Sequence, residues 1–502
     1  MPQPPERLHH LFDHCLSRHP ERDFLFFPTH SMSFAALDAM VASAMAELQA
    51  RGTGPGDRVL VVAENSAEHV ALVLACSRLG AWSCGVNARM APAEVAGFIA
   101  KADPRLVCFT SGASAAAAAH ADAHAAGPSA LAGLRIAPGT GPAAPVEPAL
   151  AERVATIIFT SGTTGQPKGV LTSHAGLVQF AENSARSRGL AAEDRSYAYL
   201  PMTHVFGLGT VLAASLHAGA GLVMRNQFDP ADMLDALARH RVSNLQGPPA
   251  LFSRLLAHIG QQGRPQAPQL RYLYTGAGPL DLALKRQVQQ CFGLPLHHGY
   301  GLSEYAGAVC ITPMNEVRDD TSAGYCVPGA ELCIVDKAGR ALPAGERGEI
   351  WIRGSGLFPG YFRDADATAA AMRPGGWYAS GDLGRCAADG ALTVVGRLKE
   401  MIVRSGFNVY PAEVEAALND HPAVLRSAVL GVPASDGNED IHAFVELRPG
   451  GVLDPQELRQ FLAQQLAPYK RPTQVHPVDR LPMTLSGKVL KRELAARLLA
   501  AA

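Results

Sequence analysis

The sequence predicts an α/β protein with a large N-terminal part and a small α+β C-terminal part. Two observations carry this. Short β-branched runs alternate with amphipathic segments over most of the chain, the pattern of parallel strands joined by helices, and after residue 390 the elements become shorter and change order. The chain, at 502 residues, also exceeds the size at which one hydrophobic core stops growing, so more than one domain is expected.

RVLVVAEN at 58–65 reads as a strand, and SAEHVALVLACSRLG as the helix that follows it. The segment GASAAAAAHADAHAAG (112–127) is nearly pure alanine with polar spacing and predicts an exposed helix or a loose linker without chemistry. APGTGPAAPVEPAL (137–150), rich in Pro and Gly, delays the chain before the next strong strand, VATIIF, at 154. Beyond 390 come LTVVG, a helix PAEVEAALND, then AVLRSAVLGV and IHAFVEL. In IHAFVEL, Ile441, Ala443 and Val445 alternate with His442, Phe444 and Glu446, a period of two that argues for a strand. A division into 1–397 and 398–502 follows, and no internal repeat stands out.

Apolar residues make up 48% and charged residues 18%, with a formal net charge of -1, so nothing electrostatic invites nucleic acid or an anionic membrane. The nine cysteines are scattered without the close spacing of a zinc or redox motif and read as buried thiols of a reducing cytosol. The first residues, MPQPPERLHHLFDHC, lack the basic start and apolar run of a signal peptide, and HVALVLACSRLGAWSCGV is broken by Ser77, Arg78 and Ser83. A cytoplasmic protein with no integral membrane contact is expected.

VATIIFTSGTTGQPKGV sets an apolar strand directly before Thr160, Ser161, Gly162, Thr163, Thr164, Gly165, Gln166, Pro167 and Lys168. Glycines let backbone N–H groups turn toward a phosphate, hydroxyls add donors, and Lys168 adds charge. It is not a Walker A loop, which needs Gly immediately before the lysine where this chain has Pro167.

TSGTTGQPKG resembles the signature loop of the adenylate-forming (AMP-binding) superfamily, which holds acyl-CoA synthetases, luciferases and peptide-synthetase adenylation domains. Further segments match that family in the same order to the C-terminus, over roughly the last two-thirds of the chain. By this resemblance His204, in PMTHVFGL, borders the acyl pocket and shifts between two reaction steps. YTGAGPL and HHGYGLSE are similar to the loops around adenine and the acyl end of the adenylate. They imply roles for Gly276, Ala277 and Gly278 beside the purine and for Tyr300 and Gly301 in the nucleotide site. Ser303 keeps the hydroxyl of the family's usual Thr, and Glu304 is the implied Mg²⁺ ligand. Asp382, in GWYASGDL, would accept from the ribose hydroxyls, Arg397 would contact the nucleotide, and Lys399 matches the hinge. Gly406 would line a pantetheine tunnel, and Lys488, in LPMTLSGKVLKREL, matches the catalytic lysine. Cys326, the pair Ala379 and Ser380, and Asn438 depart from the family's pattern without removing a charged group.

The resemblance implies layered α/β subdomains with a distorted β-barrel, plus a small mobile C-terminal domain that carries Lys488. It implies an AMP-forming acid–thiol ligase that uses ATP, Mg²⁺ and coenzyme A. The segments VFGLG, GPPAL and GLSEYAGA hold no Lys or Arg, which favours a monocarboxylic acid with an apolar tail, fatty or aromatic. A ligase that loads a carrier protein, a luciferase-like oxygenase and a non-catalytic binding protein of the same fold stay open. Partners are expected to be the small acid, ATP and coenzyme A, without nucleic acid, and with homodimerisation left open.

Overall fold

The apolar runs become the strands of two large sheets in the computed structural model, which describes residues 6–139, 146, 148–160, 168–260, 265–404, 407–434, 439–484 and 488–501. The first sheet has seven strands among the described residues, ordered Gly127–Pro128, Arg135–Pro138, Leu106–Phe109, Arg58–Ala63, Trp82–Asn87, Val154–Thr160 and Lys168–Ser173. Its central strands are parallel and its outer ones antiparallel. All six residues of Arg58–Ala63 are buried, as a strand covered by helices on both faces must be. The helix Ala67–Leu79 begins where the Ser66 hydroxyl accepts from His69 N–H and ends at Gly80, whose φ of 71° suits glycine.

The second sheet runs through Leu296–Leu302, Tyr272–Thr275, Asn244–Gly247, Arg195–Ala198, Gly221–Met224 and Asp23–Phe26, all parallel to their neighbours. Antiparallel strands close its two edges. Ala330–Val335, Gly348–Gly354, Met372–Arg373, Trp377–Cys386 and Leu392–Arg397 make a separate antiparallel sheet.

The alanine-rich stretch differs from expectation. Ala115–Ala123 is a helix, but Ala117, His120 and Ala121 are buried, and His120 bonds the Ala88 carbonyl at 3.0 Å. Side chains this small let the helix approach the sheet closely, so a segment without large apolar residues still packs. The cysteines differ as well. Cys326 is exposed, and it lies opposite Cys310 on the neighbouring strand with the sulfurs 3.8 Å apart, a proximity created by strand pairing and invisible to sequence spacing.

In the C-terminal part, Val424–Pro433, Glu439–Leu447 and Gln474–Val478 form a three-stranded sheet. Ile441, Ala443 and Val445 share a core with residues of the helices Pro411–Asn419 and Pro455–Gln465. The opposite face is buried too, because Phe444 packs with Leu481 and with Leu494 of the terminal helix Lys491–Ala501. That second face fixes the chain just before the terminal helix, where Lys488 stands. Among the described residues no helix is long and apolar enough to cross a membrane.

Candidate active site

The strand Val154–Thr160 pairs antiparallel with Lys168–Ser173 and sets Thr160 opposite Lys168. The phosphate loop of the sequence thus joins two strands, whereas a Walker A loop runs into a helix. Ser161, Gly162, Thr163, Thr164 and Gly165 lie outside the described residues. Lys168 sits with its ammonium 4.5 Å from the centre of the Tyr361 ring, and Val170 bridges to the backbone of Tyr361.

Tyr361 connects this hairpin to Glu304. Its hydroxyl donates to the Glu304 carboxylate at 2.8 Å and lies 3.2 Å from the hydroxyl of Tyr378. Burial, then the Glu304 charge, raises the pKa of both phenols, so they stay neutral. Ser303 and Glu304 occupy one short turn, with the Ser303 residue buried. Asp382 accepts from the Tyr300 hydroxyl at 2.7 Å and pairs with Arg397 Nε at 3.2 Å. Asp382 and Arg397 face each other on adjacent strands, which fixes this pair by register. Its neighbour Ser380, a departure from the family pattern, holds the turn by donating to the Ile350 carbonyl at 2.6 Å and accepting from Asp382 N–H.

Glycines and one strained residue shape the wall between these groups. Ala277 has φ of 62°, a left-handed conformation uncommon for alanine and typical of residues held for a purpose at a site. A side chain at Gly299 would collide with the Tyr274 hydroxyl, and one at Gly276 would begin 3.4 Å from it. Gly278 lies in the loop that holds Ala277, and Gly301 is exposed near the end of the strand Leu296–Leu302.

His204 stands just before a π-helix, Phe206–Ala213, a rare element that recurs at functional sites. Its Nδ1 accepts from Phe206 N–H at 3.2 Å. Burial, assisted by the charge of Lys488, lowers its pKa to about 4, so the imidazole is neutral at physiological pH.

Lys488 comes from the other part of the chain. A local clasp, its N–H on the Thr484 hydroxyl at 3.0 Å and its carbonyl receiving Thr484 N–H at 2.7 Å, presents the side chain. Much of that side chain is open to solvent, yet protein crowds its ammonium. Desolvation first, and the Arg397 guanidinium next, bring its pKa down to about 8, with Glu400 and Asp382 opposing the fall. Lys491 anchors the same segment by pairing with Glu400 at 3.2 Å and Glu415 at 2.8 Å. Lys399 lies in a short turn, and loss of solvent around its ammonium first, then the Arg397 charge, lowers its pKa. Gly406 lies outside the described residues.

The structure therefore brings His204, Glu304, Asp382, Arg397 and Lys488 near one another, with Tyr300 on Asp382 and Ser303 beside Glu304. Sequence reasoning missed Tyr361, Tyr378 and Lys491, whose roles come from contacts and not from motifs. It also missed Arg188, discussed below. Among the described residues no three His, Cys, Asp or Glu side chains gather as a ready-made metal cage. A lone carboxylate such as Glu304 still suits Mg²⁺, which completes its shell with phosphate oxygens and water.

Comparison with known proteins agrees with this geometry. The family described as AMP-binding enzyme matches residues 12–362, and the AMP-binding enzyme C-terminal domain matches residues 413–488. A feruloyl-CoA synthase from an Amycolatopsis species is 34% identical over 93% of this chain and 94% of its own. An indoleacetate–CoA ligase from Aromatoleum aromaticum is 33% identical over 95% of this chain and 96% of its own. Among solved structures, ATP-bound MatB from Rhodopseudomonas palustris superposes with a TM-score of 0.85 at 29% identity, covering 97% of this chain and 98% of that one.

Proposed function

Because this chain belongs to the AMP-binding enzyme family and is an AMP-forming acid–thiol ligase, we propose that it couples a ring-bearing monocarboxylic acid to coenzyme A through an acyl-adenylate. One observation carries the reading: Lys488, remote in sequence from the others, lies near His204 and near Asp382 and Arg397, which pair with each other at 3.2 Å.

ATP binds with its ribose hydroxyls on Asp382, which Tyr300 and Arg397 hold in place, and with its phosphates toward Thr160, Ser303 and Lys168. Loop residues Ser161, Gly162, Thr163, Thr164 and Gly165 supply further donors, and Gly276, Ala277, Gly278 and Gly301 admit the base. Glu304 would hold a magnesium ion, which supplies positive charge to the phosphates when bound.

A carboxylate oxygen of the acid attacks the α-phosphorus. A new P–O bond forms, the bond to the bridging oxygen breaks, and its electron pair leaves with pyrophosphate. Both reactants are anionic, so a desolvated cation near the forming bond lowers the barrier, and Lys488 is that cation. Neutral His204 adds no charge and borders the acid. The domain that starts after Arg397 then turns about Lys399, withdraws Lys488 and exposes the Gly406 edge. The thiol sulfur attacks the acyl carbon, the acyl C–O bond breaks with its electron pair leaving on AMP, and the thiol proton passes to solvent.

Ring-bearing acids are favoured over fatty acids because the relatives with the same span are named for feruloyl, 4-coumarate and indoleacetate substrates. The test is acid-dependent pyrophosphate release across aryl, arylacetic, short, medium and long straight-chain acids, with thioester formation followed on coenzyme A. Aryl or arylacetic acids are expected to give the highest kcat/KM. A preference for long straight-chain acids, or thioester formed only on a carrier protein, would overturn the proposal.

A further inference from the structure

Arg188 follows the helix His174–Ser187 and is 1% exposed. Its guanidinium donates to Gln246 Oε1 and, at 2.6 Å, to the Thr210 carbonyl. Both acceptors are neutral. Among the described residues no carboxylate lies within ion-pair distance of it. The nearby Asp194 is already taken by Arg271, the Ser243 hydroxyl and Ala191 N–H. Arg188 Nε has no acceptor, and the Gln246 amide nitrogen has none either. Burial lowers the Arg188 pKa to about 10, which still leaves it charged at neutral pH.

The surroundings of this cation tie it to the acid's end of the cleft. Thr210 belongs to the π-helix that follows His204. Gln246 lies beside Tyr274 in register on the next strand, and the Tyr274 hydroxyl lies in the space that the absent side chains of Gly276 and Gly299 leave. Arg188 lies near Tyr272 and Tyr274, whose phenols burial keeps neutral. The Phe206 ring meets the Tyr274 ring edge-on at 6.1 Å between centres. An arginine from a separate helix thus stands behind a wall whose own segments contain no cation.

A buried cation without an anion is costly, and a neutral amide would tie this helix to the sheet without that cost. We propose that Arg188 is a specificity residue that reads an oxygen acceptor, a hydroxyl or a carboxylate, carried on the acid's ring remote from the reacting carboxyl group. The inference rests on the ring-bearing reading above and replaces the apolar tail expected from the pocket segments and, where the oxygen is a carboxylate, the single carboxyl group of that reading. The Gln246 amide and the Tyr274 hydroxyl supply further donors at the same end.

The test compares kcat/KM for cinnamate with its para-hydroxy and para-carboxy derivatives, in the wild-type chain and in Arg188→Met and Arg188→Lys. A site with a buried donor awaiting an oxygen should prefer an oxygen-bearing acid by about tenfold or more. That ratio should collapse toward unity in Arg188→Met and survive in part in Arg188→Lys. A wild-type ratio near unity overturns the inference even if neither variant folds, as does an unchanged ratio in a folded Arg188→Met. Ring-bearing acids accepted without regard to the oxygen sink this inference alone. Long straight-chain acids preferred over all ring-bearing ones sink the underlying reading together with it.

Discussion

Lys488→Ala is expected to slow acid-dependent pyrophosphate release by about a hundred- to a thousandfold, the cost of removing one preorganised charge from a developing anion, about 3 to 4 kcal/mol. The thioester half-reaction, started from synthetic acyl-adenylate and coenzyme A, should change by no more than a few-fold if the proposed rotation withdraws Lys488 before that step. A pH signature accompanies it. The cation is the active form, and its pKa in the free protein is lowered to about 8 by desolvation and by Arg397. The kcat/KM for ATP should therefore be flat below that pH and fall as pH rises through it. Lys488→Arg, which cannot lose its proton in this range, should abolish the fall while keeping part of the rate. An equal loss in both half-reactions would count against the assignment.

Asp382→Ala should raise KM for ATP by about a hundredfold or more. Two charge-assisted bonds to the ribose are lost, each contributing about 1.5 to 3 kcal/mol. The same change strips Arg397 of its partner at 3.2 Å and the Tyr300 hydroxyl of its acceptor at 2.7 Å. Asp382→Asn keeps the shape and one acceptor, so it should lie between. Equilibrium binding of ATP to each variant checks this, and unchanged affinity in Asp382→Ala would remove the ribose role.

The charged groups of the proposed site could be picked out because they sit in contiguous motifs. The register that faces Asp382 with Arg397 is encoded by two neighbouring strands of one antiparallel sheet, and each carries its own motif. The alternation in IHAFVEL correctly gave a strand, but it did not reveal that Leu481 and Leu494 cover the second face, which depends on a helix far along the chain. Groups supplied from outside the motifs were hidden. Arg188 ends an unremarkable helix, and Tyr361 meets Glu304 only because the hairpin at Val170 bridges to it. Alanine at 115–123 misled in the opposite sense: low hydrophobic bulk reads as exposure, whereas close packing needs small side chains.

The central claim is that a carboxylate attacks the α-phosphorus of ATP in this cleft. Acid labelled with heavy oxygen in its carboxyl group, turned over with ATP and coenzyme A, should deliver label to the phosphate of AMP and none to pyrophosphate. Label absent from AMP, or orthophosphate and ADP formed in place of AMP and pyrophosphate, would contradict the account.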